Sequence, residues 1–583
     1  NSLDILYYIQ DDTFAFGVDY KVALNELRDL GFGYPGHDKK TIEGIDLDIE
    51  EGEFVLICGP SGCGKTTLIK QLIPAITPYG TRYGSVRFMG RVIEEYDELT
   101  LAGDIGYVGQ NPESQIITDK VWHEIAFGME SLGLSQAVME RRMAEICEFF
   151  GMQSWLNRDV DTLSGGEMQM VHLASVMVME PKVLLLDEPV AQLDPLSTHN
   201  FLDMLRRIND ELGTTIVIVE HHLEEVYGMV DKVVAMTDSK IDIVGVPREA
   251  AAMMKCISYL PSSVRIARDV GGDTGIDTAD VPLTVSEGQR WLEKIMIGID
   301  AKIDGIHYDK VNEMADAGVE DGKEVLALKN IAFAYSPDKD VLKDCNLEVL
   351  EGEIFALLGG NGTGKSTLLH ILCQTLKASY GTVKIFGSKV RDVKSAPLGY
   401  EGMVYLPQEP MALFTEITVK DELIEAMEGL SISLEDKENR IVDIIERLEL
   451  QGFEKYHPYD LSSGQMQLLA LGKLLLLKPR LILMDEPTKG LDYDRKIKYG
   501  QIISSLTNDK TTILMVSHDI EFCARYATRC GLMHDGRIVA KSSARDFFTG
   551  NRFFTTAANR IARRYMPDAI LPEEVAYCIR QVL

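Results

Sequence analysis

No C-x-x-C pair occurs in this chain, although it carries nine cysteines, at positions 58, 63, 147, 256, 345, 373, 523, 530 and 578. They are scattered through apolar or ordinary segments. That pattern fits reduced intracellular thiols and argues against a zinc or iron–sulfur site. The opening stretch Asn1–Asp12 has neither the basic start nor the apolar run of a signal peptide. Long hydrophobic runs are missing too: the most apolar stretch, Leu468–Met484, is broken by Lys473, Lys478 and Arg480, so it does not read as a spanning helix. Basic residues are scarce, 59 against 90 acidic ones for a net charge of −31, which disfavours a protein that lives on nucleic acid. The expectation is a soluble chain, held at any membrane by something else.

What is present is a globular composition repeated. At 583 residues the chain is too long for one hydrophobic core. "GPSGCGKTTL" starts at Gly59 and "GGNGTGKSTL" at Gly359, an offset of 300. Gln110 and Gln408 stand 298 apart, as do Ser164 and Ser462 in "LSGGE" and "LSSGQ", and Asp187 and Asp485 in "LLDEP" and "LMDEP". His221 and His518 follow at 297. Five landmarks in one order at a nearly constant offset mean two copies of one domain. Each copy alternates short apolar strands with helical stretches, the pattern of a parallel α/β sheet. The residues between glutamine and serine in each copy read as a helical subdomain. The expected boundaries are an unassigned segment 1–23, a first domain 24–250, a linker with a short helix 251–322, a second domain 323–545 and a helical tail 546–583. Within the linker, Asp269–Pro282 reads as flexible because it is rich in glycine and aspartate.

The repeated phrases carry chemistry. G-x-x-x-x-G-K-[ST] fits Gly59–Thr66 and Gly359–Ser366. Its glycines (Gly59, Gly62 and Gly64; Gly359, Gly362 and Gly364) let backbone amides close around phosphate oxygens at a helix N-terminus. Lys65 and Lys365 are expected to reach the β- and γ-phosphates, Thr66 and Ser366 to ligate Mg²⁺, and Thr67 and Thr367 to continue the cradle. Asp187 and Asp485 end apolar strands and are placed to face the metal. Glu188 and Glu486 follow them and can polarise an attacking water. Gln110 and Gln408 link metal and water to the helical subdomain, and His221 and His518 sit at strand ends near the γ-phosphate. Tyr34 and Tyr335 can stack on adenine, or simply pack at a strand edge.

P-loop, glutamine, L-S-G-G-[QE] signature, D-E-P and histidine together resemble ATP-binding cassette (ABC) ATPases, across both copies. The resemblance implies two tandem α/β P-loop ATPase domains, each a RecA-like core with a helical signature subdomain, that use ATP and Mg²⁺. It further implies an intramolecular dimer in which each P-loop meets the other copy's signature. Site one would join Lys65, Thr66, Gln110, Asp187, Glu188 and His221 to Ser462, Ser463, Gly464 and Gln465. Site two would join Lys365, Ser366, Gln408, Asp485, Glu486 and His518 to Ser164, Gly165, Gly166 and Glu167.

"GQNPESQIITDKVWHEIAFG" and the tail "FFTGNRFFTTAANRIARRYMPDAIL" look like the ATPases of energy-coupling factor (ECF) transporters. That implies an importer of vitamins or metal ions at the cytoplasmic face of the membrane, an integral T component, a substrate-binding S component and no nucleic acid. Another ABC importer and a soluble translation-type ATPase are the alternatives. Three finer expectations follow. Val121 and Glu124 match Val419 and Glu422 at offset 298, and the resemblance places these glutamates against the membrane partner. Cys63, two residues before Lys65, is a candidate reactive thiolate at a helix N-terminus. Ser463 replaces Gly165; if that position needs a positive φ, the serine weakens site one by less than tenfold, on the order of 1 kcal/mol.

Overall fold

The computed structural model describes residues 23–36, 39–255, 257–274, 280–298, 322–336, 339–390 and 398–583. The unassigned segment up to residue 22 and the stretch 299–321 lie outside the described residues. In the first copy, strands Phe54–Cys58, Val183–Asp187 and Thr215–Val219 are buried at every position. They pair in parallel at the centre of a six-stranded sheet ordered 240–245, 232–237, 54–58, 215–219, 183–187, 105–108. The second copy repeats that order with 537–543, 529–534, 354–358, 512–516, 481–485 and 403–406. A parallel strand covered on both faces has no polar side to show, hence the unbroken apolar runs.

One face of each central sheet packs on a four-stranded antiparallel sheet, with the helix after the P-loop between them: Leu68 and Ile69 share a core with Val55, Ile57, Val86 and Phe88. The other face meets the helical subdomain, where Val121, Ile125 and Val171 share a core with Phe54 and Leu56. Helices Val121–Ser131, Gln136–Phe150 and Gly165–Met177 build that subdomain, and Val419–Glu425, Leu434–Arg447 and Ser463–Leu475 build its counterpart. Both faces converge on the carboxyl ends of the parallel strands, where a sheet of this kind binds ligands.

The expected flexible linker is only partly loop. Helix Ser262–Thr274 runs through the glycines at 271 and 272, and residues 275–279 lie outside the description. Packing overrides propensity here. Ile266 and Val270 are buried with Leu292, Ile561, Val575 and Ile579, so this helix, Val285–Gly298, Ala557–Ala562 and Pro572–Val582 share one small core. Arg580 pairs with Asp269 at 3.1 Å. Linker and tail are thus two halves of one helical unit. From it Arg265 reaches the second copy, donating to Glu521 at 2.9 Å and Tyr493 at 2.7 Å. Among the described residues, no helix is long and apolar enough to cross a membrane.

Candidate nucleotide sites

Each P-loop is a turn that only glycine can make. Gly59 and Gly359 sit at φ 145° and 152°, and a Cβ on Gly59 would lie 2.2 Å from the Met236 carbonyl oxygen. The helices Lys65–Lys70 and Lys365–Leu372 then begin at the two lysines. Lys65 Nζ donates to the Gly59 and Pro60 carbonyls, and Lys365 Nζ to those of Gly359 and Gly360, all at 2.9 Å. Both ammonium groups are therefore drawn over the loop that would hold phosphate. Tyr34 and Tyr335 lie beside the same helices, their hydroxyls 3.3 and 3.4 Å from Thr67 and Thr367.

The carboxylates follow at the strand ends. Asp187 accepts from Thr66 at 2.9 Å; burial and the neighbouring Glu188 push it up to about 6. Burial likewise raises Asp485, against the Ser366 hydroxyl and the Lys365 charge. A buried carboxylate beside a hydroxyl is an oxygen donor set that suits Mg²⁺, and Asp485 Oδ1 has no hydrogen-bond partner among the described residues. The set fits the ion.

Glu188 and Glu486 both occupy the left-handed region, at φ 50° and 47°, a conformation that costs a non-glycine residue about 1–2 kcal/mol. The sheet enforces it, since their amides donate to Val219 and Val516 at 3.0 and 2.9 Å. Glu188 Oε1 meets His221 Nε2 at 2.9 Å, and its Oε2 accepts from Gln110 at 3.2 Å. Burial pushes Glu188 up, but the hydrogen bond and charge of His221 outweigh it and leave the group below its usual value. In the second copy, His518 Nε2 is 3.3 Å from Glu486 Oε1, and burial wins, raising Glu486.

The copies face one another. Asp194 caps helix Pro195–Leu212 with Oδ1 and accepts from the Asn361 amide of the second P-loop with Oδ2, at 3.3 Å. Asp492 caps helix Tyr493–Asn508 and accepts from the Ser61 amide of the first P-loop at 3.0 Å. These reciprocal aspartates were missed in the sequence reading, although their common offset, 492 − 194 = 298, marks them. A cavity of about 700 Å³ lies between the copies. It brings Tyr335, Lys365, Ser366, Gln408, Glu486 and His518 together with Glu188 and His221. Neither signature stretch lines it, so the expected pairing of P-loop with opposite signature is not assembled around this cavity.

Ser164 and Ser462 cap the signature helices, each in a reciprocal box with Glu167 or Gln465. Gly166 and Gly464 sit close against Ser197 and Arg495 of the same copy; an added Cβ would come within 2.6 Å of either. Positions 165 and 463 open the helices, and Gly165 is not among the positive-φ residues. The expected strain at Ser463 is therefore absent. A Cβ at 165 would meet open space, and Ser463 donates to the Gly490 carbonyl at 3.1 Å. Ser463→Gly should change ATP turnover by no more than about fivefold, the size of one net hydrogen bond of ~1 kcal/mol. A hundredfold rise in steady-state turnover would restore the idea that the serine is a lesion.

Two other expectations are corrected. Cys63 is packed under its loop, 5% exposed; burial pushes its thiol up, against the pull of Lys65, so the thiolate premise fails. Glu124 and Glu422 do not face outward. They are 4% and 0% exposed and fold back on the loop before their own helix. Glu124 accepts from Ile117 and Thr118 at 3.1 and 2.9 Å, and Glu422 from Thr415 and Glu416 at 2.5 and 2.6 Å. Two loop amides needing an acceptor, one helical turn away, draw the carboxylate inward.

Two P-loops, each followed by a strand-end aspartate and glutamate, define a P-loop ATPase with two nucleotide sites in one chain. Residues 42–191 and 342–489 match the ABC transporter family. A Bacillus anthracis protein named as an ABC transporter ATP-binding protein is 38% identical over 563 residues, spanning 95% of this chain and 98% of that one. One from Caldanaerobacter subterraneus subsp. tengcongensis is 32% identical over 531 residues, with 90% and 92% covered. Among solved structures, CbiO1 of Clostridium perfringens, part of the ABC transporter complex CbiONQ, is 27% identical with a TM-score of 0.38, covering 44% of this chain and 97% of that one. The chain belongs to the ABC transporter family: it is a transporter ATPase with two tandem cassettes.

Proposed function

We propose that this ATPase energises an ECF-type importer of vitamins or metal ions from the cytoplasmic face of the membrane. Its two cassettes act as an intramolecular dimer, docked on an integral T component beside an S component that binds the substrate. The observation that carries the reading lies beside the glutamine loops. Glu124 and Glu422 turn inward, and the loops they clamp present apolar side chains outward. Ile117 and Ile417 are 69% and 74% exposed, and Trp122 and Met411 are also open. Apolar groups beside a residue in the catalytic constellation suit a partner that must feel the state of the site. The reciprocal contacts of Asp194 and Asp492 support the dimer.

In each site the P-loop amides and lysine bind the ATP phosphates. Glu188 or Glu486 orients the attacking water and takes its proton; His221 and Gln110 hold Glu188, and His518 lies against Glu486. Thr66, Asp187 and Gln110, or Ser366, Asp485 and Gln408, would hold Mg²⁺, which when bound neutralises charge on the phosphates. Tyr34 and Tyr335 take the base, and the signature residues approach the opposite γ-phosphate on closure.

Ile117→Glu combined with Ile417→Glu should strip the ATPase from its membrane partners on co-purification, while ATPase activity of the isolated chain stays near its starting value. Undiminished co-purification with integral membrane proteins would remove these loops from the interface. Recovery in a ribosome pellet with no membrane subunit would overturn the importer reading itself.

A further inference from the structure

The copies differ in the residue before the histidine: Glu220 in the first, Ser517 in the second. Glu220 is 1% exposed and works on two backbone segments at once. Its Oε1 accepts from the Val190 amide and its Oε2 from the His221 amide, both at 3.2 Å. Val190 lies two residues beyond Glu188, and His221 is the partner of Glu188. A buried carboxylate thus ties together, from behind, the two chain segments that carry the reacting pair. Ser517 has no such reach; its hydroxyl accepts from the Asp519 amide at 3.1 Å.

The consequence is visible in the carboxylates themselves. With the His221 amide already taken, Glu188 places one oxygen on His221 Nε2 and the other on Gln110. In the second copy Glu486 Oε2 accepts the His518 amide at 3.0 Å, the task that Glu220 performs in the first. Glu486 Oε1 keeps only a longer approach to His518 Nε2, at 3.3 Å, with no hydrogen bond from a glutamine among the described residues. Side-chain exposure does not separate the pair, at 17% for Glu188 and 15% for Glu486. What separates them is the residue that holds the histidine amide.

We propose that Glu220 is a positioning residue for ATP hydrolysis in site one: by holding the His221 and Val190 amides it leaves both oxygens of Glu188 facing His221 and Gln110, and makes site one the faster of the two sites. This reverses the ranking expected from Ser463. It rests on Glu188 and Glu486 acting as the catalytic carboxylates, which their own glutamine variants test separately.

The test uses the full chain. Glu188→Gln and Glu486→Gln variants isolate sites two and one, and single-turnover ATP cleavage is measured in each, with binding followed by a fluorescent ATP analogue. Cleavage should be faster in the Glu486→Gln chain. In that background Glu220→Ser should slow cleavage by at least about tenfold, as small misplacements of catalytic groups do, with ATP affinity unchanged; Glu220→Gln, which keeps one acceptor oxygen, should recover part of the rate. If one blocked site stalls both, the same split is read in the unblocked chain, as a lower kcat with unchanged KM for Glu220→Ser. Equal and measurable cleavage by the two blocked chains overturns the proposal, as does an unchanged kcat for Glu220→Ser in the unblocked chain where blocking stalls both sites. So does a Glu220→Ser variant that loses thermal stability or ATP affinity without losing cleavage rate, since that describes a purely structural carboxylate.

Discussion

ATP turnover should fall by about 10²- to 10⁴-fold in the Glu188→Gln plus Glu486→Gln double variant, the range expected when positioned general bases are lost. ATP affinity should stay close to its starting value. The substitution removes neither Lys65 nor Lys365, and it leaves the P-loop glycines, which carry the phosphate contacts, untouched. A lower kcat without a higher KM is the signature of a group that acts only in the transition state. The backbone argues the same way. Both glutamates are held at positive φ by a strand-end hydrogen bond, and such strain persists where surrounding structure imposes it. Isosteric glutamine keeps that backbone and the acceptor facing His221, so a fall in turnover reports lost chemistry and not lost folding. Steady-state phosphate release with parallel nucleotide-binding titrations checks it. Turnover within tenfold of the native chain would move the catalytic carboxylate elsewhere.

How much of this could be read from residues alone depended on whether the signal was periodic. The P-loops, the strand-end carboxylates and the doubled order of motifs are local patterns at fixed spacing, and each landed on the strand end or helix start that its chemistry requires. Features set by distant chain segments did not show. The four-helix unit joins residues 262–274 and 285–298 to 557–582, and no local pattern announces that Ile266 will share a core with Val575. Glycines at 271 and 272 argued for a loop, yet the apolar face of Ile266 and Val270 decided for a helix. Glu124 and Glu422 read as surface charges because sequence gives polarity but not direction; the unpaired loop amides before each helix turned them inward. Ser463 was judged against a glycine, whose conformation is legible only from φ. Glu220 went unnoticed because it lies beside a motif histidine and belongs to only one copy.

The largest expected stability loss falls on the second cassette. Glu422 is fully buried and pairs with Lys473, which also donates to the Leu413 carbonyl at 2.7 Å and meets Glu425 at 2.9 Å. Glu422→Ala leaves the amides of Thr415 and Glu416 without their acceptor and an ammonium group with less than its full set of partners. Breaking a buried pair typically costs 3–5 kcal/mol. Because Lys473 keeps Glu425 and Leu413, the low end applies, about 3 kcal/mol, or a melting shift of roughly 6–12 °C for a cassette of this size. Glu124→Ala should cost less, about 1–3 kcal/mol for its loop amides, because the position equivalent to Lys473 in the first cassette is Ser175, at 473 − 298 = 175, which donates to the His172 carbonyl instead. The test is calorimetry on Glu124→Ala, Glu422→Ala, Glu422→Gln, Lys473→Met and the Glu422→Gln plus Lys473→Met pair. Removing both charges together should cost clearly less than the sum of the two single losses, the mark of a direct interaction. Strict additivity, or equal losses from Glu124→Ala and Glu422→Ala, would show that Lys473 contributes nothing through Glu422. The loop that Glu422 clamps carries Ile417, so the same variant should also weaken binding to the membrane partner proposed above, with the cause in loop order and not in a charge presented to that partner.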